Sequence, residues 1–87
     1  MNHVGWLLVG LKRECSGKSK GLGMMSTIGE CARECKKIAS MFAYGTNDFG
    51  TERCYDQKCK CMCEPTASAG GTCNHKINNG YRLYRYV

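Results

Sequence analysis

The sequence predicts a small, disulfide-rich α+β domain in which one helix is stapled to an antiparallel sheet, and three observations carry that expectation. Eight cysteines in 87 residues mark a disulfide scaffold, because so short a chain gains little stability margin from apolar burial alone. Cys31 and Cys35 stand four apart, whereas Cys59 and Cys61 stand two apart. A four-residue helical step rises about 6 Å, and a two-residue strand step advances about 6.6 Å with both side chains on one face, so the two pairs can meet as parallel bridges. Finally, Ile28, Cys31, Cys35, Ile38 and Phe42 recur at alternating steps of three and four, which is one apolar helical stripe.

The elements follow in chain order. Residues 1–14 read as an apolar lead strand, with Val4-Gly5-Trp6-Leu7-Leu8-Val9-Gly10-Leu11 at its centre; that run is too short for a transmembrane helix. It lacks the charged start and small-residue cleavage site of a signal peptide, so the chain is read as mature sequence whose secretion signal is already absent. Residues 16–25 read as a flexible cationic loop. Its Gly17-Lys18-Ser19 is not a phosphate loop, because Lys12 stands where the other glycine is needed. Thr27 and Glu30 have the spacing of a capping box ahead of the helical stripe, and Lys36 and Lys37 suit the negative end of its dipole.

Tyr44 to Gly50 is turn-rich. It leads to strands at Thr51–Tyr55 and Lys58–Cys63 around an Asp56-Gln57 turn. Alternation puts Cys59, Cys61 and Cys63 on one face of the second strand. Asn79-Gly80 signals a second hairpin in the tail, whose last arm, Tyr81 to Val87, is aromatic enough for a strand.

Geometry then gives Cys31–Cys59 and Cys35–Cys61. Cys63, at the strand end before Pro65, has Cys73 as its nearest unassigned partner, which leaves Cys15 with Cys54. The expected organisation is one domain over 1–87, with an apolar lead (1–14), a cysteine-stabilised core (15–63) and a basic aromatic extension (64–87). Cys59, Cys61, Cys63, Cys73 and His75 are chemically suited to zinc, but single-residue gaps on a strand hold thiolates parallel instead of converging them on one ion. Neither a metal nor a cofactor is expected. The even cysteine count and its density indicate an oxidising, extracellular setting and a secreted chain, away from intracellular nucleic acid. With every thiol paired and His3 and His75 near opposite ends, no catalytic group is assembled and no enzymatic activity is expected.

The set Cys15, Cys31-x-x-x-Cys35, Cys54, Cys59-x-Cys61 resembles the cysteine-stabilised αβ family, which includes invertebrate defensins, scorpion channel toxins and macins. The resemblance spans residues 15–61 and implies the same partners for Cys15, Cys31 and Cys35. It is similar to macins in the long Cys15 to Cys31 segment, the basic surface and the cysteine-containing extension. Arg53-Cys54-Tyr55-Asp56-Gln57-Lys58-Cys59-Lys60-Cys61 looks like the hairpin of scorpion potassium-channel toxins. Those toxins carry a pore-plugging lysine and an aromatic residue where this chain has Arg53 and Met62, and a planar guanidinium fits a narrow pore less well than an ammonium does.

The net charge of +6 is concentrated outside the central scaffold. Lys12, Arg13, Lys18 and Lys20 face only Glu14 in the first 29 residues, and Lys76, Arg82 and Arg85 face only Glu64 in the last 24. Cations beside Trp6, Leu7, Leu8, Tyr81, Leu83, Tyr84 and Tyr86 suit an anionic bilayer surface. The expected function is therefore a secreted, cationic host-defence protein that binds and perturbs anionic microbial membranes. Its contacts would be Lys12, Arg13, Lys18, Lys20, Trp6, Arg82, Tyr84, Arg85 and Tyr86. The alternatives are a venom-type channel blocker acting through Arg53, Lys58 and Lys60, and a secreted ligand for a receptor. A receptor ligand would display a contiguous apolar patch.

Overall fold

The computed structural model describes residues 4–45 and 58–87. Among these, the elements are β1 (Trp6–Cys15), β2 (Lys20–Met25), α1 (Ile28–Cys35), β3 (Met41–Gly45), β4 (Cys59–Cys63) and β5 (His75–Tyr86). The strands form one antiparallel sheet in the order β1-β5-β3-β4-β2. The fold is thus α+β and disulfide-rich, but dominated by its sheet. The expected Thr51–Tyr55 strand and Asp56-Gln57 turn lie outside the described residues, as do Arg53 and Cys54.

Helix α1 begins as its sequence dictates. Thr27 is the N-cap in extended backbone, and its hydroxyl accepts from the Glu30 N–H at 3.2 Å, which satisfies one of the orphan donors of the first turn. The helix stops at Cys35, whose carbonyl accepts from the Ile38 and Ala39 N–H groups in a closing turn. Phe42, expected on the same helical stripe, lies instead on β3. Met41-Phe42-Ala43-Tyr44 is buried on both faces because α1 packs against Phe42 and Tyr44, while Met41 and Ala43 face a second cluster with Cys15, Met62, Tyr81 and Leu83.

Two cysteines on the helix do meet two on a strand, but the expected pairs are displaced. Cys31 bonds Cys61 and Cys35 bonds Cys63, with Cα separations of 5.4 and 5.0 Å. They replace the expected Cys31–Cys59 and Cys35–Cys61. Cys15 bonds Cys73, which overturns both Cys15–Cys54 and Cys63–Cys73; Cys59 is also disulfide-bonded. The physical reason is strand parity. A two-residue shift along β4 keeps every side chain on its face, so Cys59-x-Cys61 and Cys61-x-Cys63 are equivalent until the position of the helix selects between them.

Two further expectations give way to longer strands. Residues 20–25, expected as part of a flexible loop, form β2 against β4, with a register shift between Gly21 and Gly23 and a positive φ of 87° at Gly23. The tail is not a hairpin. β5 runs through Asn79-Gly80 and lies between β1 and β3. The Asn-Gly pair occupies an irregularity in β5: the β1 register passes from Leu11↔Arg82 to Arg13↔Ile77, and the Asn78 side chain accepts from the Gly80 N–H. Gly45 is required opposite this bend, because a Cβ there would stand 2.0 Å from the Gly80 carbonyl oxygen.

Candidate functional site

The chain ends that carry the excess cations are neighbours in the sheet. Among the described residues β1 is an edge strand, and its pairing with β5 sets Leu7 opposite Arg85, Leu8 opposite Tyr84, Leu11 opposite Arg82 and Arg13 opposite Ile77. Residues facing each other across a ladder share a face of the sheet. Tyr84 belongs to the helix-side cluster, so Leu8 stands on the helix side, beyond the cover of α1. Leu7, Leu8, Val9 and Leu11 are exposed by 45, 50, 37 and 58%, and Ile77 next to them is also exposed. Lys12 is exposed at a bulge, with a φ of 57°; Arg13, Arg82 and Arg85 are half-buried.

The aromatic residues expected to contact a membrane mostly pack inward. Phe42 is the centre of their cluster: Tyr84 stacks on it at 5.2 Å, Tyr86 lies tilted at 5.4 Å and Trp6 meets it edge-on at 6.3 Å. Tyr84 is buried, and Trp6 and Tyr86 are half-buried against the same core. The Tyr86 hydroxyl donates to the Ala32 carbonyl, and Lys36 lies over its ring at 5.6 Å; burial pushes its pKa well above that of an ordinary tyrosine. This corrects the reading of Tyr84 as a surface contact. The cause is the β1–β5 register, which points these rings beneath α1.

Lys18 and Lys20 are exposed but sit elsewhere. Lys20 opens β2, the opposite edge strand from β1, and Lys18 precedes it in the connection. Lys58 and Lys60 are exposed at and before β4, while their proposed companion Arg53 lies outside the described residues.

Sequence reasoning set Leu7 and Leu8 beside the cations but missed that Val9 and Leu11 join them in one exposed run. Consecutive apolar residues at both parities of one strand cannot all face a single core, and that signal was present in Leu7-Leu8-Val9. It also missed Glu64, whose side chain is fully buried. The Glu64 carboxylate accepts from the Cys15 N–H and the Ser19 hydroxyl. Burial pushes its pKa up against those two hydrogen bonds, and Glu14 adds to the rise. Glu14 is itself buried, receiving Lys76 at 3.4 Å and the Asn78 amide. This cluster ties the β1–β2 connection to the residue that follows β4. The sulfurs of Cys31, Cys35 and Cys61 lie within 4.8 Å of one another, but all three are committed to disulfides. Compared with protein families, curated proteins and solved structures, the chain matches none.

Proposed function

We propose that this is a secreted, cationic host-defence protein that binds anionic microbial membranes through its β1–β5 edge. The observation that carries the reading is the adjacency of exposed Leu7, Leu8, Val9 and Leu11 to Lys12, Arg13, Arg82 and Arg85. Apolar side chains enter the interfacial region of a bilayer while flanking cations remain with the lipid headgroups. Each basic group near an anionic surface contributes about 1 kcal/mol. The disulfides are compatible with an extracellular setting.

The test compares binding and dye release from phosphatidylglycerol-containing and purely zwitterionic vesicles, alongside bacterial killing. Lys12→Gln/Arg13→Gln should weaken binding to anionic vesicles by about thirtyfold, the equivalent of 2 kcal/mol. Leu8→Ser/Leu11→Ser should reduce both leakage and killing. Equal binding to the two vesicle types, or killing unaffected by either variant, removes the membrane reading. In that event, block in a channel panel that is lost in Lys58→Ala/Lys60→Ala supports the channel alternative.

A further inference from the structure

We infer that Asn79 is a self-modifying site: its side-chain amide converts spontaneously to aspartate and isoaspartate, and the bend in β5 leaves it open to that reaction. Only the last consequence of the inference rests on the membrane reading; the conversion itself does not.

The chemistry needs two neighbouring groups, water and no catalyst. The Gly80 nitrogen attacks the Asn79 Cγ, gives its proton to hydroxide and closes a five-membered succinimide as ammonia leaves. Water then opens the ring. Addition at Cγ gives aspartate; addition at the main-chain carbonyl of residue 79 gives isoaspartate, whose backbone runs through the side chain and is one methylene longer. No electrons are transferred. A Cβ on the following residue would crowd the attacking nitrogen, and glycine has none. Asn79 is the only asparagine in the chain that precedes a glycine.

A regular ladder suppresses this reaction, because it holds each amide in a hydrogen bond and fixes the backbone on both sides. β5 gives up that restraint where the reaction needs it. Its register with β1 passes from Arg82 to Ile77, and its register with β3 begins at Tyr81. Asn78, Asn79 and Gly80 therefore have a register partner on neither neighbour. The Gly80 N–H donates to the Asn78 side chain at 3.4 Å, beyond the usual N–H···O range. Asn79 is exposed, and its side chain has no hydrogen-bond partner among the described residues. The other asparagines nearby are less open to attack. Asn78 is half-buried with its amide donating to Glu14, and Asn74 is followed by His75.

Conversion adds a carboxylate at a defined place. Lys12, at its bulge, is the β1 residue left between the Leu11↔Arg82 and Arg13↔Ile77 pairs, so residue 79 belongs to the stretch of β5 across from it. The new charge lowers the net +6 by one beside the cations assigned to lipid headgroups. On the membrane reading, the converted protein binds anionic vesicles about fivefold more weakly, the equivalent of one lost basic group.

The oxidised protein, held in mildly alkaline buffer and followed by intact mass and peptide mapping, should show one amide becoming a carboxyl group. The change should map to residue 79, divide between aspartate and isoaspartate, and precede any change at Asn74 or Asn78. Asn79→Gln should abolish it, because the corresponding ring has six members and closes slowly. The reduced, urea-unfolded chain measures what the sequence does without the bend. A native protein that stays unmodified at residue 79 while the unfolded chain converts overturns the inference, as does earlier conversion at Asn74 or Asn78. Asn79→Asp tests the consequence by itself on phosphatidylglycerol-containing vesicles: fivefold weaker binding supports it, and unchanged binding removes the charge effect. An unmodified Asn79 in a protein that binds those vesicles removes this inference alone, and conversion in a protein indifferent to them removes the membrane reading alone.

Discussion

Glu64 and Lys12 both sit in local environments that oppose their chemistry. Glu64 is fully buried with Glu14 nearby, and burial is the largest influence raising its pKa above the ordinary 4.5. The folded state therefore holds this proton more tightly than the unfolded chain does. Its stabilising contribution is complete below pH 4.5 and is lost as pH rises through the raised folded value. Urea denaturation with disulfides intact should show stability declining from pH 4.5 towards neutrality. Glu64→Gln should flatten that decline, because an amide oxygen can accept the Cys15 N–H while its NH2 donates to the Ser19 hydroxyl. An unchanged slope in the variant would assign the dependence to another group. Lys12 occupies left-handed backbone at a φ of 57°, a conformation costing a non-glycine residue about 1 kcal/mol. Lys12→Gly should relieve part of that cost and raise stability by about 0.5 kcal/mol after the added freedom of the unfolded chain is counted. Thermal unfolding at high salt, where the lost charge matters least, is the appropriate check.

Among the elements, α1 and β3 show opposite relations between local sequence and structure. The start of α1 follows from Thr27, whose hydroxyl accepts from Glu30 N–H, and Thr27→Ala should cost about 1 kcal/mol of stability by chemical denaturation. This part of the fold was legible because a cap is local. The boundary at Cys35 was not, since Ile38 and Phe42 continue the helical spacing although Phe42 belongs to the central sheet. Similarly, Cys-x-Cys identified a strand face but not which two of Cys59, Cys61 and Cys63 lie under the helix. Asn79-Gly80 announced a reversal, whereas β5 continues through it because β1 and β3 both hold its later half. For the candidate site, the cations and their neighbours Leu7 and Leu8 were legible, but their place on an edge strand was not, because edge position depends on strand order. Gly45 illustrates the same dependence. Its lack of a Cβ matters only because β5 bends at Gly80 across from it, and Gly45→Ala should destabilise by on the order of 2–3 kcal/mol, measurable as a lowered urea midpoint.

At the scale of the whole molecule, the cross-links divide the work of holding the sheet. Cys31–Cys61 and Cys35–Cys63 fasten α1 to β4 and close segments of 30 and 28 residues. Cys15–Cys73, spanning 58 residues, ties the end of β1 to the segment before β5 and encloses these two bridges. Its entropic effect is therefore smaller than the full span suggests. With the inner bridges intact, the shortest covalent path from Cys15 to Cys73 passes through them and measures roughly 30 residues, for which a chain-entropy estimate is about 3–4 kcal/mol. Cys15→Ala/Cys73→Ala should lose about that much, plus a contribution from the space vacated at fully buried Cys15. Because the inner bridges still restrain α1 and β4, the loss should be uneven. Hydrogen exchange should rise first in β1 and the early part of β5, while β3 and β4 remain the better protected strands. Uniform loss of protection across all five strands would mean that the sheet opens as one unit and that this outer bridge governs it throughout.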